Sequence, residues 1–214
     1  MLIINGSPVV DDDNFAILKT AQIKTDTTAP TDLIITTGAE KTLTLATPVY
    51  DDIIITAINL RGGTTPPAFV TFQDSILAIS FRDAETDIVY GAFELPHNYK
   101  EGTDLEIHLH WSPSSNNTGN CVFTFKYTLA GMGSATFGVE QTKTLTQAGS
   151  GIVNRHQYMT GNTLITGAGV TIGTIYAFSL TRTQGDAFTG DAFVHSIGMH
   201  YEIDTLGSRQ RSVK

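Results

Sequence analysis

The strict alternation of apolar and polar residues from position 104 to 111 is the feature that most constrains the fold of this chain. The apolar members, which include the only tryptophan, are Leu105, Ile107, Leu109 and Trp111. The polar members are Asp104, Glu106, His108 and His110. A period of two places the two sets on opposite faces of a β-strand. We therefore expect a central core strand whose polar face is either solvated or covered by another subunit.

Comparable runs, separated by turn-forming residues, occur along most of the chain and predict about ten to twelve strands with almost no helix. The fold class predicted is all-β, a jelly-roll-like β-sandwich with an extended N-terminal arm, because the strands are irregularly spaced and the loops long. Ile53–Ile58 is a continuous run dominated by β-branched residues, typical of a strand buried on both faces. The strand over 121–129 is expected to pair with the one that precedes it. Residues 32–47 predict a hairpin, and 163–165 a short strand.

Three segments are predicted. Residues 1–30 form an N-terminal arm or linker, residues 31–206 the β-sandwich, and residues 207–214 a basic tail. The arm is expected to dock on a neighbouring chain, with a flexible leader or a plain edge strand as the alternatives. The tail carries Arg209, Arg211 and Lys214 and no acidic residue. It is either a solvated end or a contact for an acidic neighbour.

Charge and hydropathy exclude several classes of function. The formal net charge is −8 and no basic patch is visible outside the tail, which argues against nucleic-acid binding. No run of about 18 apolar residues and no standard signal segment is present, so we expect no membrane partner and synthesis in the cytoplasm. Only 16% of the residues are charged, which is common where much of the surface meets other protein. Cys121 is the single cysteine, which rules out an intrachain disulfide.

The histidines are the candidate ligands for a metal. Glu106, His108 and His110 share one strand face at about 7 Å spacing, which suits zinc or nickel. His200 and Glu202 share a face of the closing strand and would complete a site if the two strands were neighbours. In a trimer, one such histidine near the three-fold axis would be repeated three times. The favoured interpretation is a solvated or subunit-facing surface, so no metal, cofactor or catalytic residue is assigned.

Other signatures of catalysis are missing from the sequence. No nucleophile elbow, Walker loop or dinucleotide fingerprint occurs, and the residues after His110 do not fit a cupin metal motif. Cys121 begins a core strand and is expected to be a small buried hydrophobe. Acidic pairs are interpreted as turn formers or caps: Asp51 with Asp52, Glu101 with Asp104, and Asp11–Asp13. We therefore predict a protein without enzymatic activity.

Three segments carry a resemblance to a known group: Pro48–Asp52, the run LPHNYKEGTDLEIHLHW over Leu95–Trp111, and Gly198–Glu202. Together they resemble virion structural proteins of tailed bacteriophages, and the resemblance spans most of residues 32–205. The resemblance implies a jelly-roll-like domain in an oligomer, a trimer, on a virion. It brings no catalytic residues with it.

The function expected is that of a capsid decoration or cement protein. Many copies would bridge capsid subunits and stabilise the head by avidity. The expected partners are further copies of the chain and the major capsid protein or other virion proteins, and the expected location is the virion after synthesis in the host cytoplasm. The alternatives are a tail or head fibre component and a carbohydrate-binding β-sandwich for host attachment. Loops 112–120 and 146–151 contain no aromatic residue, which weighs against glycan binding.

Overall fold

The computed structural model describes residues 3–4, 7–8, 48–133, 136–208 and 210–211. The chain divides into two units, residues 1–41 and residues 42–214. In the first unit, β1 (Ile3–Ile4) pairs antiparallel with β2 (Ser7–Pro8). The predicted arm over 1–30 and the predicted hairpin over 32–47 otherwise lie outside the described residues.

The second unit is built almost wholly from strands. One short 3-10 turn, Ala57–Asn59, follows the first of them, and the described residues contain no helix long and apolar enough to cross a membrane. The strands are β3 (Val49–Thr56), β4 (Arg61–Gly62), β5 (Ala68–Gln73), β6 (Ile76–Phe81), β7 (Ile88–Glu94), β8 (Glu106–Pro113), β9 (Asn120–Ala130), β10 (Gln141–Ala148), β11 (Gln157–Thr160), β12 (Ile175–Arg182) and β13 (Ala192–Ile203).

These strands form two antiparallel sheets with jelly-roll connectivity. One sheet has the order β10-β9-β12-β7-β4, and the other has the order β11-β8-β13-β6-β5, with β3 also paired to β13. Strands β6, β8, β11 and β13 therefore lie in one sheet, and β7, β9, β10 and β12 in the other. This interleaving of eight strands is the double Greek key of a jelly roll. The predicted fold class is confirmed for the described sandwich.

The core lies between the sheets because inward positions of each alternating strand are apolar. Ile107, Leu109 and Trp111 of β8 are buried as predicted, with exposures of 1% or less. From the opposite sheet, Phe123 and Phe125 of β9 are also fully buried. Burial of each large apolar side chain stabilises the fold by about 1.5–3 kcal/mol. The indole Nε1 of Trp111 donates a hydrogen bond to Gln147 Oε1 at 2.7 Å, so its one polar group is satisfied.

Strand β9 does not pair with β8, and the prediction that it would is wrong. It pairs with β10 and β12 in the other sheet, while β8 pairs with β11 and β13. The connection between β8 and β9 carries the chain from one sheet to the other. A tight turn between these two strands would have been needed to make them a hairpin. The segment 163–165 is also not a strand, and contributes only an isolated bridge between Leu105 and Ile165.

Strand β3 differs from its prediction in two respects. It begins at Val49 and contains Asp51 and Asp52, which were predicted to form a turn. It is also buried on one face only: Ile53 and Ile55 pack against the core, whereas Ile54 is 64% exposed. Since β3 pairs with β13 alone, nothing among the described residues covers the outer side of Ile54.

Candidate functional site

The outer face of the six-stranded sheet collects most of the histidines. His108 and His110 lie on β8, His195 and His200 on β13, and His156 immediately before β11. Strands β11, β8 and β13 are successive neighbours, and β3 continues the row beyond the C-terminal half of β13. The condition for a site shared by β8 and the closing strand, namely that the two strands are neighbours, is therefore met.

Three side chains from three strands converge at one point of this face. Asp52 of β3, His108 of β8 and His200 of β13 each place one potential ligand atom within 4.8 Å of the other two. The register explains the convergence, because His200 lies directly opposite Asp52 on one side and Glu106 on the other. The rings of His108 and His200 are 4.3 Å apart between centroids.

His108 is buried although it belongs to the outer face. Its exposure is 1%, and neither ring nitrogen forms a hydrogen bond with any described residue. Its Nε2 lies 3.4 Å from Asp52 Oδ2. Burial lowers the pKa of His108, an effect that the nearby Asp52 carboxylate opposes and His200 and His110 reinforce. The neutral imidazole that results has a lone pair to offer to a cation.

Gly198 creates the space in which the His108 ring lies. It is the residue of β13 directly opposite His108, and a Cβ at this position would stand 2.0 Å from Nε2. Its backbone has no need of a glycine's special conformations, because it is not among the residues with positive φ. The glycine is therefore required here for close approach of a side chain rather than for a turn.

Glu106 holds His200 in place from the opposite side. Its Oε2 lies 3.1 Å from His200 Nδ1, and the Tyr158 hydroxyl donates to the same oxygen at 3.5 Å. Burial, with the Glu106 and Asp52 carboxylates, raises the pKa of Tyr158 to about 12, so the hydroxyl remains a donor at neutral pH. The Nδ1 contact leaves Nε2 as the second nitrogen of His200.

His110 turns away from this group and pairs with His156. His110 Nδ1 and His156 Nε2 are 2.8 Å apart, and the two rings are stacked at 5.1 Å. Burial and the neighbouring His156 lower the pKa of His110. Because one ring nitrogen must donate and the other accept, this contact requires at least one neutral imidazole. The predicted trio of Glu106, His108 and His110 is therefore not one ligand set.

Asp52, His108 and His200 are hereafter called the histidine cluster. A pocket of about 720 Å³ opens beside the His200 side of this cluster. Its lining combines an exposed aromatic ring, aliphatic surface and carboxylates: Tyr50, Gly102, Thr103, Asp104, Glu106, Leu164, His200 and Glu202. Glu202 is engaged with Lys100 Nζ at 2.6 Å and is not part of the histidine group. Tyr50, on the outer face of β3, is 64% exposed.

A second, apolar depression lies at the other end of the same sheet. This feature, hereafter the open groove, has a volume of about 190 Å³ and includes Ile58, Phe69 and Leu77 above Ala78 and Ile79. Phe69 pairs with Ile79 and Leu77 precedes it by two, so both share the inward parity of a core residue. They are nevertheless 58% and 60% exposed.

The remaining sequence candidates have structural roles. Cys121 is fully buried, and burial raises the pKa of its thiol to about 12, which agrees with the predicted small hydrophobe. Asp104 Oδ1 accepts the Gly167 amide at 2.9 Å, and Glu101 Oε1 accepts the Ile172 amide at 3.0 Å. Asp51 accepts the Tyr201 hydroxyl at 3.0 Å. These carboxylates organise loops and edges of the sandwich.

Asp52 and Tyr158 are the members of the site that the sequence prediction missed. Asp52 was assigned to a turn with Asp51, and Tyr158 was not among the candidate residues. The signal that would have found Asp52 is its parity: it lies two residues before Ile54 and therefore on the outer face of β3. Which strand lies beside β3 is not encoded in the local pattern.

Comparisons with known proteins give structural neighbours only. No protein-family model matches the chain. No curated protein matches it either. Among solved structures, the CBM36-1 domain of a multidomain xylanase from the hindgut metagenome of Trinervitermes trinervoides has a TM-score of 0.43 and 14% identity, covering 70% of this chain and 96% of its own. A CBM35 from Cellvibrio japonicus Abf62 has a TM-score of 0.40 and 11% identity, covering 77% and 99%.

The C-terminal CBM6 of LamC, from Zobellia galactanivorans, is a third such neighbour, with a TM-score of 0.37 and 13% identity over 70% of this chain and 98% of its own. These neighbours are carbohydrate-binding modules with a β-sandwich fold. Likenesses of this strength carry no argument about what the present chain binds.

Proposed function

We propose that the chain is a non-enzymatic structural protein of a phage virion, and specifically a capsid decoration protein that assembles as a homo-oligomer, a trimer. The observation that carries the proposal is the open groove. Monomeric proteins rarely leave contiguous apolar surface uncovered, and such surface marks contacts with other protein. The resemblance of Leu95–Trp111 to tailed-phage virion proteins supports the virion as the place of assembly.

The occupant proposed for the open groove is a second copy of the chain. Phe69 and Leu77 have the parity of core residues, so their exposure in one chain is a cost that a neighbouring subunit removes. Ile58, in the 3-10 turn that follows β3, adds a further exposed isoleucine to the lining of the groove, with an exposure of 68%. Charge is sparse here, since the groove is lined by apolar residues with Thr56 and His195. A homo-oligomer interface has this more apolar composition.

The test is the mass of the full chain and two variants by light scattering at micromolar concentration. The proposal predicts three times the chain mass of 23.0 kDa for the wild type. Phe69→Asp places a charge in the open groove and is expected to give monomers with an unchanged circular dichroism spectrum. Val139→Asp is the matched control, because Val139 is 83% exposed but lies ahead of β10 in the other sheet.

A wild-type monomer would contradict the assembly proposal. So would an oligomer that persists in Phe69→Asp, which would show that the open groove is not the interface. Retention of the trimer by Val139→Asp is part of the expected result, since loss in both variants would mean that any added charge dissociates it.

A carbohydrate-binding function is the second candidate, and the 720 Å³ pocket favours it. An exposed tyrosine ring offers a stacking face for a sugar, and carboxylates and a histidine offer partners for hydroxyl groups. Titration of the protein with neutral and uronic-acid oligosaccharides, followed by NMR, tests this function. Specific shifts that disappear in Tyr50→Ala would support it, and an unchanged spectrum at millimolar sugar would contradict it.

A further inference from the structure

The histidine cluster has a property that neither assembly nor sugar binding explains. Removing an imidazole from water without giving it a hydrogen bond carries a free-energy penalty. His108 is in this position, because both of its nitrogens are buried and neither forms a hydrogen bond with a described residue. The sheet also keeps a glycine at position 198 solely to make room for this ring. A buried, unsatisfied side chain in a prepared space indicates a missing partner.

The spacing of the surrounding ligand atoms identifies what kind of partner fits. His108 Nε2 and Asp52 Oδ2 are 3.4 Å apart. Two ligand atoms at zinc bond lengths of about 2.0–2.1 Å, in tetrahedral directions, stand about 3.3–3.4 Å from each other. The third ligand, on His200, is within 4.8 Å of both and belongs to a side chain that is 35% exposed.

The second layer of contacts resembles that of a metal centre. Asp52 Oδ1 accepts the Met199 amide at 3.0 Å, which fixes the carboxylate and leaves Oδ2 toward His108. Glu106 contacts His200 Nδ1 at 3.1 Å, which fixes the tautomer and leaves Nε2 available. Histidine ligands of metals regularly bond a carboxylate through their other nitrogen, and that bond increases their basicity.

We propose that Asp52, His108 and His200 bind one Zn²⁺ ion, with a further coordination position open to water or to a ligand in the adjacent pocket. Two imidazoles and one carboxylate are donors that zinc accepts in tetrahedral sites with an open position. The ligands come from β3, β8 and β13, so the ion ties the edge strand β3 to the centre of the sheet. The inference does not depend on the proposed assembly, because all three ligands belong to one chain.

The experiment uses the full chain, treated with EDTA and dialysed, and titrated with ZnCl₂ by calorimetry, with thermal unfolding measured in parallel. One ion per chain and a rise in Tm that EDTA reverses are expected. His200→Ala and Asp52→Asn each remove one ligand and are expected to weaken Zn²⁺ binding by about 100-fold or more. Glu106→Gln alters only the second layer and is expected to weaken it by about 10–100-fold.

His156→Ala is the matched control, since His156 is an exposed histidine of the same sheet that lies outside the ligand group. It is expected to bind Zn²⁺ as the wild type does. Gly198→Ala supplies an independent test, because its methyl group displaces the His108 ring while all three ligands remain in the sequence. Loss of binding in this variant is expected.

Two results would overturn the proposal. One is the absence of Zn²⁺ binding by the wild-type chain. The other is binding that survives His200→Ala and Asp52→Asn but is lost in His156→Ala, which would place the ion on the His110–His156 pair. The oligomeric mass is measured with and without EDTA on the same samples. If EDTA leaves the oligomeric mass unchanged, assembly does not require the ion. Failure of the zinc proposal can then be told apart from failure of the assembly proposal.

Discussion

Arg182 illustrates at the scale of a single residue what the sequence pattern conveys and what it omits. It occupies the next inward-facing position of β12 after Tyr176, Phe178 and Leu180, so the strand pattern places it in the core. Its charge would suggest the surface. The structure buries it completely, beside Asp186 four residues later. Parity was the better predictor, because a turn supplies the carboxylate that the guanidinium needs.

All five N–H groups of Arg182 are used. Nε donates a hydrogen bond to Asp186 Oδ2 at 3.1 Å, and one N–H of Nη2 donates to Asp186 Oδ1 at 2.9 Å. The other three reach backbone carbonyls of Phe81 at 3.0 Å, Gly190 at 2.6 Å and Phe188 at 2.7 Å. The residue therefore fastens the turn before β13 to the ends of β6 and β12. No local sequence signal specifies these carbonyl partners.

Replacement of Arg182 by lysine is predicted to be strongly destabilising. Lysine keeps the charge but cannot form the planar fork with Asp186 or reach three carbonyls, so buried acceptors lose their donors. We expect a loss of about 3–5 kcal/mol in the free energy of unfolding, measured by urea denaturation. Arg61→Lys, at an exposed position, is the control and is expected to change it by less than about 0.5 kcal/mol. Equal effects of the two substitutions would contradict the role assigned to Arg182.

At the scale of the element, alternation fixed strand identity but not strand neighbours. The alternating runs over 175–182 and 192–203 form strands β12 and β13. The face shared by Glu106, His108 and His110 was also predicted. The partner of β9 was wrong, and Asp52 was missed, because pairing across a jelly roll depends on long-range packing of two sheets. Local periodicity carries no information about that packing.

Strand β13 carries a bulge that positions His195. The register with β8 shifts between Val194 and Ser196, and His195 lies in the shift. Its Nε2 is 2.9 Å from Ser112 Oγ, and its ring meets Phe72 at 4.9 Å. Burial lowers the pKa of His195, and the nearby His156 and His110 lower it further. The folded state therefore favours the neutral ring.

This lowered pKa predicts how stability depends on pH. In the unfolded chain a histidine titrates near about 6.5, so the unfolded state takes up the proton first as the pH falls. The contribution of His195 is fully present above that value and is lost as the pH falls toward the folded pKa. We expect Tm to fall between pH 7.5 and 5.5, and to fall less in His195→Gln. His97→Gln, a histidine that bonds Ser208 in another part of the domain, is the control. Parallel curves for His195→Gln and the wild type would contradict this assignment.

At the scale of the whole molecule, one sheet of the sandwich leaves surface open on both of its sides. The centre of its outer face holds the histidine cluster and β3 exposes Ile54 there, whereas the open groove lies at its far end on the inward side, where Phe69 and Leu77 have the parity of core residues. The sequence predicted that the polar face of β8 would be either solvated or covered by a subunit. The open groove is a separate feature on the inward side of the same sheet, and the exposure of its residues was not foreseeable because inward parity normally implies burial.

The most direct test of the central proposal, that the chain decorates a phage capsid, is quantitative mass spectrometry of purified virions from any phage whose genome carries its gene. The account predicts the chain in every preparation, in a fixed and high ratio to the major capsid protein, and its retention on emptied heads separated from tails. Absence from purified virions, or recovery only with tails, would contradict a capsid decoration protein.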